Sequence, residues 1–408
     1  VANTLLTPQI ITREALRILH AKLNFIKSIN RQYDDRFAQA GAKIGATLQI
    51  RKPPRYTVST GAALATQDTT DTFDALTIAT QKHVDTTFSS VELTLSVDDF
   101  SKRILEPSMA QLASAIEADS LTMYQQVYNT VGAYNTPVNS LATVLRGRKR
   151  LNDLLTPLDG QRTALLTTDA NLQLVSALQG LFQDSSTISE QYDEGMMGRT
   201  AGFTFKENTL IPVQTTGTPT GTPVIAGAGQ IGSSLATSGW TASTLVLNTG
   251  DVFTIPGVYA VHPETRIAFG YLQQFTVTAP VTSTAGGLAT IPISPSIVLS
   301  PSPFQTVSVA PPNGNAIVPF ASVTAPTPYS NSLLFHKDAF TFATADLEDV
   351  SQYGAWGSRQ QYDGISMRIA RQYAIGTDTV PCRIDVLYGY VPLYPQLACR
   401  VAGSLEST

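Results

Sequence analysis

Between Asn208 and Phe335 the chain carries only three charged side chains, Asp251, Glu264 and Arg266. Thr, Ser, Gly, Pro, Val and Ile fill this stretch, so a helix with a solvated charged face has no material from which to form. Short β-type runs at residues 243–247, 252–255, 275–278, 289–293 and 304–309 are separated by Gly and Pro. That spacing predicts a small all-β barrel or sandwich. Charge and helical periodicity return on both sides, which reads as a β domain inserted into a mixed α/β host, with the ends of the guest close together.

The 408 residues suffice for about two or three domains. Charged residues are 14% of the chain, and 27 Lys+Arg against 31 Asp+Glu leave a net charge of -4. Such a chain has no global field to hold a polyanion, so any basic surface must be local. Cys382 and Cys399 make neither a disulfide framework nor a CxxC pair. No run approaches the ~20 apolar residues of a membrane span, and the N-terminus lacks signal-peptide order; the expectation is a soluble product folded in a cytoplasm.

Thr7 and Pro8 open a helix, and Ile11, Ala15, Ile18, Leu19, Phe25, Ile26 and Ile29 recur at three- and four-residue steps along one face. Seven basic and three acidic side chains give residues 1–45 a charge of +4, leaving -8 for the rest. Residues 46–60 read as a strand weakened by Pro53 and Pro54, and residues 88–98, with Val91, Leu93, Leu95 and Val97 alternating, as its partner. The intervening 61–87 reads as a polar tip, so the whole suggests an extended arm that must dock on its own body or on a neighbour. Glu106 and Pro107 then start a helix of about 25 residues, its stripe running from Met109 to Val131 and Gly132 ending it. Further helices are expected at 138–155 and 169–182. The first holds Arg146, Arg148, Lys149 and Arg150, a cluster suited to an acidic surface or simply answering the helix macrodipole. Strands close the chain, around 365–369 and 382–388, with a turn at Gly376–Asp378.

Little in the sequence suggests catalysis. His20, His83, His262 and His336 stand apart from any ligand-spaced partner, and no HExxH, GxSxG or Walker loop occurs. The pairs Asp34–Asp35 and Asp98–Asp99 do not share a helix or strand face. A literal GxGxxG stands at Gly227, Gly229 and Gly232, with Asp251 nineteen residues on. A dinucleotide site needs a helix directly after it, whereas SSLATSGWTAST follows, so a glycine-rich loop of the β domain is expected instead.

Three stretches carry a resemblance: GRTAGFTFKENTLIP from Gly198, GDVFTIPGVYAV from Gly250, and residues 362–400 with CRIDVLYGYVPLYPQLACR. With the element order they resemble the P-twenty-two-like coat-protein family of tailed bacteriophages. The resemblance implies an α+β fold of the Hong Kong ninety-seven type with an inserted small all-β domain. It implies an N-terminal arm helix at 1–45, an extended hairpin loop at 46–97, a peripheral domain with the spine helix at 98–135 and 376–408, an axial domain at 136–214 and 332–375, and a β-barrel insertion at 215–331.

The function so implied is a major capsid protein assembling into the icosahedral shell around the double-stranded DNA of a tailed phage, with no enzymatic activity and no cofactor or metal. Implied partners are the chain itself in hexamers and pentamers, portal, scaffolding and decoration proteins, and weakly held packaged DNA, with no membrane. No long charged prosegment precedes Thr7, so a separate scaffold is expected. Assembly would occur in the host cytoplasm. Arg13, Arg17, Lys22 and Lys27 are candidates to face the genome; Arg51, Lys52, Arg55, Asp68, Asp71 and Asp74 are candidates for intersubunit contacts of the arm. The alternative is a non-viral β-rich binding or surface-layer module.

Overall fold

The computed structural model describes residues 8–32, 45, 47–64, 66–69, 71–87, 104–178, 197–321, 326–348, 350, 356–362, 364–373 and 381–405. Two units emerge, one made of residues 1–51, 73–121 and 340–393, the other of 52–72, 122–339 and 394–408.

In the first unit, helix α1 (Pro8–Lys22) buries Ile11, Ala15, Leu16, Ile18 and Leu19, as the stripe requires. Phe25, Ile26 and Ile29 are also buried, but in and beside a short 3-10 turn, because the helix ends at Lys22. Thr7, its expected cap, lies outside the described residues. Helix α2 (Glu106–Leu121) packs against α1. Its buried Glu117 accepts the backbone N–H groups of Asn24 and Phe25 and so fixes the chain just after α1. Beside the helices a sheet runs in the order 341–345, 381–391, 365–371, 356–362, and strand Thr80–Thr87 pairs antiparallel with residues 381–388. Asp385, fully buried, accepts from Arg368 at 2.6 and 3.1 Å and from Gln81 at 2.8 Å, which ties that strand to the sheet.

The second unit is built on a mixed sheet in the order 130–132, 398–403, 328–336, 162–166, 203–207, 199–200. Helices α3 (Leu141–Asp153) and α4 (Thr168–Leu178) cover it, with Val144, Leu151, Ala170 and Leu174 in its core. Ser140 caps α3 by accepting from Ala142 N–H. The insertion forms a six-stranded sheet in the order 318–319, 252–261, 268–277, 289–297, 232–240, 221–225, and the bridge Val224↔Ala316 brings its two edges together as a barrel. Leu235, Phe253, Ile255, Phe275, Val277, Ile291 and Ile293 fill it.

Several expectations need correction. The long helix stops after 16 residues, about 24 Å. Beyond Leu121 a 3-10 segment (Thr122–Gln126) leads into strand Thr130–Gly132, since the β-branched and aromatic run Thr122, Tyr124, Val127, Tyr128, Thr130, Val131 prefers extended backbone and finds a partner in residues 400–402. Gly132, at φ +86°, is therefore no helix cap; a Cβ there would stand 2.3 Å from the Ala402 carbonyl oxygen. Residues 61–87 are not all tip: 72–77 and 80–87 are strands, and Leu76 and Ile78 are buried. Strand 47–52 pairs with 72–77, while 88–98 lies outside the described residues, as do 179–196 and the Gly376–Asp378 turn. Of residues 304–309 only Val307 makes a strand-like bridge, to Ala260.

The two compact units cut across the domain bounds that the resemblance implies. Strand 365–371, assigned to the axial part, pairs with 381–391, assigned to the peripheral part, and both share a unit with α2. Strand 398–403 instead pairs with 328–336 in the second unit. Ladder hydrogen bonds between distant segments set these memberships, and no local pattern encodes them.

Candidate assembly surfaces

The arm narrows from a ladder to a clasp. Thr47 and Thr77 hydroxyls meet at 3.0 Å beside the paired strands 47–52 and 72–77. Farther out no strand continues among the described residues; Gln67 instead uses its side-chain amide as a strand would use its backbone, accepting from Thr57 N–H at 2.8 Å and donating to the Thr57 carbonyl at 2.5 Å. Tyr56 and Thr69 hydroxyls close the same rung at 3.2 Å. Proline at 53 and 54 ends the ladder, as the sequence suggested. Val58 and Leu64 beyond it are 95% and 90% exposed.

The arm candidates fall in different surroundings. Arg51 lies 5.8 Å from the centroid of Phe73. Lys52 sits over Tyr394 and Arg55 over Phe304 of the second unit, and Arg266 donates to the Tyr56 carbonyl at 2.7 Å. The base of the arm thus touches its own barrel, a contact that sequence patterns could not reveal. Asp68 and Asp71 are exposed and Asp74 is half-buried.

On α1, Arg13 and Arg17 project to solvent one turn apart. Arg17 pairs with Glu14 at 2.7 Å, Lys22 approaches Glu106 at 3.8 Å, and Lys27 donates to the Ala21 carbonyl. Three of the four genome-facing candidates therefore already have partners within the chain.

Two of the four α3 cations, Lys149 and Arg150, serve the barrel. Arg150 stacks 3.5 Å over the ring of Tyr271, Lys149 lies 5.2 Å from it, and Tyr271 is in turn stacked on Phe269 at 5.1 Å. Burial pushes the Tyr271 hydroxyl up to about 12. The guest is anchored at its neck too. Gln214 and Thr215 pair with Tyr329 and Pro328, so the two ends of the insertion meet as expected. Asp251, buried, accepts from Asn248 N–H at 2.8 Å, Gly217 N–H at 2.9 Å and Gln214 Nε2 at 3.0 Å. Desolvation raises its carboxyl above the ordinary range despite these donors. Arg400, completely buried, reaches from the host sheet to the Gly250 carbonyl and to Thr276 Oγ1, and burial lowers its affinity for its proton. Gln274 exchanges two hydrogen bonds with the Thr130 backbone.

The glycine motif forms the turn between strands 221–225 and 232–240, with Gly227, Gly229 and Gly232 at positive φ. A strand follows it, not a helix. Gln230 fills the turn, bonding Ala226 and Ala236 backbone groups. Asp251 belongs to the neck of the barrel. His336 is buried with Nε2 3.1 Å from Asp159. Among the described residues no three His, Cys, Asp or Glu side chains are grouped to hold a metal ion, and no helix is long and apolar enough to cross a membrane.

The family model described as P22 coat protein, gene protein 5, matches residues 3–403. No curated protein matches the chain. Similar solved structures include that of Mycobacterium phage Che8, at 10% identity and TM-score 0.46 over 93% of this chain and 90% of that one. The satellite phage P4 procapsid including size determination (Sid) protein gives 9% and 0.42 over 97% and 91%. A virus-like particle from Pyrococcus furiosus gives 6% and 0.39 over 97% and 98%.

Proposed function

Because this chain belongs to the P22 coat protein family, we propose that its arm, residues 57–69, is the element by which one copy clasps the next. The protein is a major capsid protein: copies self-assemble into the icosahedral shell of a tailed phage around its double-stranded DNA, with the Hong Kong ninety-seven-type fold that goes with the family. The β-rich binding-module alternative does not fit a family match that spans host and insertion together.

The observation that carries the clasp is the pair Val58 and Leu64, almost fully exposed on a segment that has no ladder of its own. Apolar surface on a thin projection is stabilised only by burial elsewhere. Repetition around closed symmetry turns such modest contacts into a stable shell. The unit with α1, α2 and strands 341–391 takes the role of peripheral domain, and the host sheet of the second unit that of axial domain in hexamers and pentamers. The work is mechanical and non-enzymatic. Scaffolding, portal and decoration proteins are the expected partners, and the host cytoplasm the place of assembly. Arg13 is the best placed of the four basic candidates to meet packaged DNA, through weak contacts without sequence readout.

Removing 61–87, as the sequence alone would suggest, also removes strands 72–77 and 80–87 and would unfold the first unit. The suitable variant replaces 58–66 with a short Gly-Ser turn. Its subunit is expected to melt as wild type does yet to form no closed particles by electron microscopy. Full-sized particles from that variant would overturn the clasp.

A further inference from the structure

At one end of the host sheet, three arginines converge on two tight turns. Arg162, buried, is spent on the chain itself: its guanidinium donates to the Pro157 and Thr156 carbonyls and to Asn152 Oδ1. Burial first, and Arg148 second, lower its hold on its proton, so the Arg148 guanidinium stands close by. Arg148 lies over Gly202 and Arg199 over Gly160; a Cβ at Gly160 would be 2.8 Å from Arg199 Nη2, and one at Gly202 3.5 Å from Arg148 Cζ. Gly160 and Gly202 both have φ above +80°, which favours glycine there, and the missing Cβ leaves room for the guanidinium groups to approach.

Neither Arg148, half-buried, nor Arg199, exposed, makes an ion pair or hydrogen bond among the described residues. The two carboxylates at this end are turned elsewhere: Asp159 and Asp338 flank His336, with oxygens 3.1 Å from Nε2 and 3.6 Å from Nδ1. Asp159 partly offsets the charge of Arg162, but Arg148 and Arg199 have no ion pair among the described residues, and a planar oxyanion is the group that a guanidinium fork answers best.

We propose that Arg148 and Arg199 form a docking site for a carboxylate from a second copy of this chain. The chain supplies the complement: Asp68 on the arm and Glu264 at the tip of the barrel hairpin are exposed and have no side-chain ion pair or hydrogen bond among the described residues. Unpaired cations at one place and unpaired anions at others on the same molecule satisfy each other only between copies, head to tail. The inference rests on the shell-forming function, and wild-type assembly is the control that separates the two.

The test uses the full chain with R148Q and R199Q together, and separately R148E with R199E. Particle formation is followed by sedimentation and electron microscopy, with inorganic phosphate titrated against chloride at equal ionic strength. Wild type should assemble, and phosphate should inhibit it more than chloride does. The glutamine pair should melt like wild type, need about fivefold or more protein to assemble, and lose the phosphate effect. The glutamate pair should not assemble. If wild type forms no particles even when co-expressed with a scaffolding protein, the shell function itself fails. If the glutamine pair assembles at the wild-type concentration, or forms normal shells that merely hold less DNA, the docking site is refuted. Should the glutamine pair melt early, the phosphate effect on wild type decides alone.

Discussion

Asp251→Ala tests whether the neck of the insertion is held by one buried carboxylate. The side chain accepts three hydrogen bonds, from Asn248 N–H, Gly217 N–H and Gln214 Nε2, at 2.8 to 3.0 Å. Bonds to a charged group contribute about 1.5 kcal/mol or more each, net of solvation. Desolvation of the carboxylate, visible as its raised pKa, offsets part of this. Alanine, however, leaves the N–H of Gly217 buried without an acceptor and strips the fully buried Arg400 of a nearby negative charge. The expected loss is about 3 kcal/mol. Urea unfolding followed by tryptophan fluorescence should report it, since Trp240 is in the barrel core. Limited proteolysis should open new cuts between 215 and 331 before any in the first unit. A loss under about 1 kcal/mol, with unchanged proteolysis, would refute the neck as a point of attachment.

Tyr271→Ala removes the ring beneath Arg150 and should lower stability by about 1–3 kcal/mol, with the same early cuts in the insertion; a neutral result would mean that the stack contributes nothing. Gly389→Ala places a Cβ 2.2 Å from the Thr77 carbonyl oxygen, so strand 72–77 must move; a melt lowered by about 2 kcal/mol or more is expected, and an unchanged melt would contradict the close approach. Asp159 is held below its ordinary 3.8, first by the Gln161 N–H and also by His336. Its contribution is present above pH 3.8 and lost as pH falls through the lower folded value, so D159N should melt below wild type at neutral pH, with the gap closing as pH falls through that acid window; a gap that stays constant with pH would refute the assignment.

Much of this was readable along the chain. The charge-free stretch announced the barrel because a barrel needs only alternation, turns and β-branched residues, all of them local properties. The stripes of α1 and the first four turns of α2 were equally plain, since periodicity fixes which face is buried. Where the same stripe ran on through Tyr124 to Val131, periodicity misled: those residues are as apolar in a strand as in a helix, and only the distant strand 398–403 decided between them. Residues 72–87, which read as part of a polar tip, became strands for the same reason: residues 381–388, some three hundred positions away, supply the ladder of 80–87, and residues 47–52 that of 72–77. The clasp of Gln67, the stacking of Arg150 on Tyr271 and the unpaired state of Arg148 and Arg199 have no sequence signature. Composition and spacing, then, determined the classes of element and the presence of a guest domain, since those depend on a residue and its near neighbours. Tertiary structure alone decided which segments share a sheet, how long the free arm is, and which charges are spent within the chain, because each is settled by partners that the backbone brings together from afar.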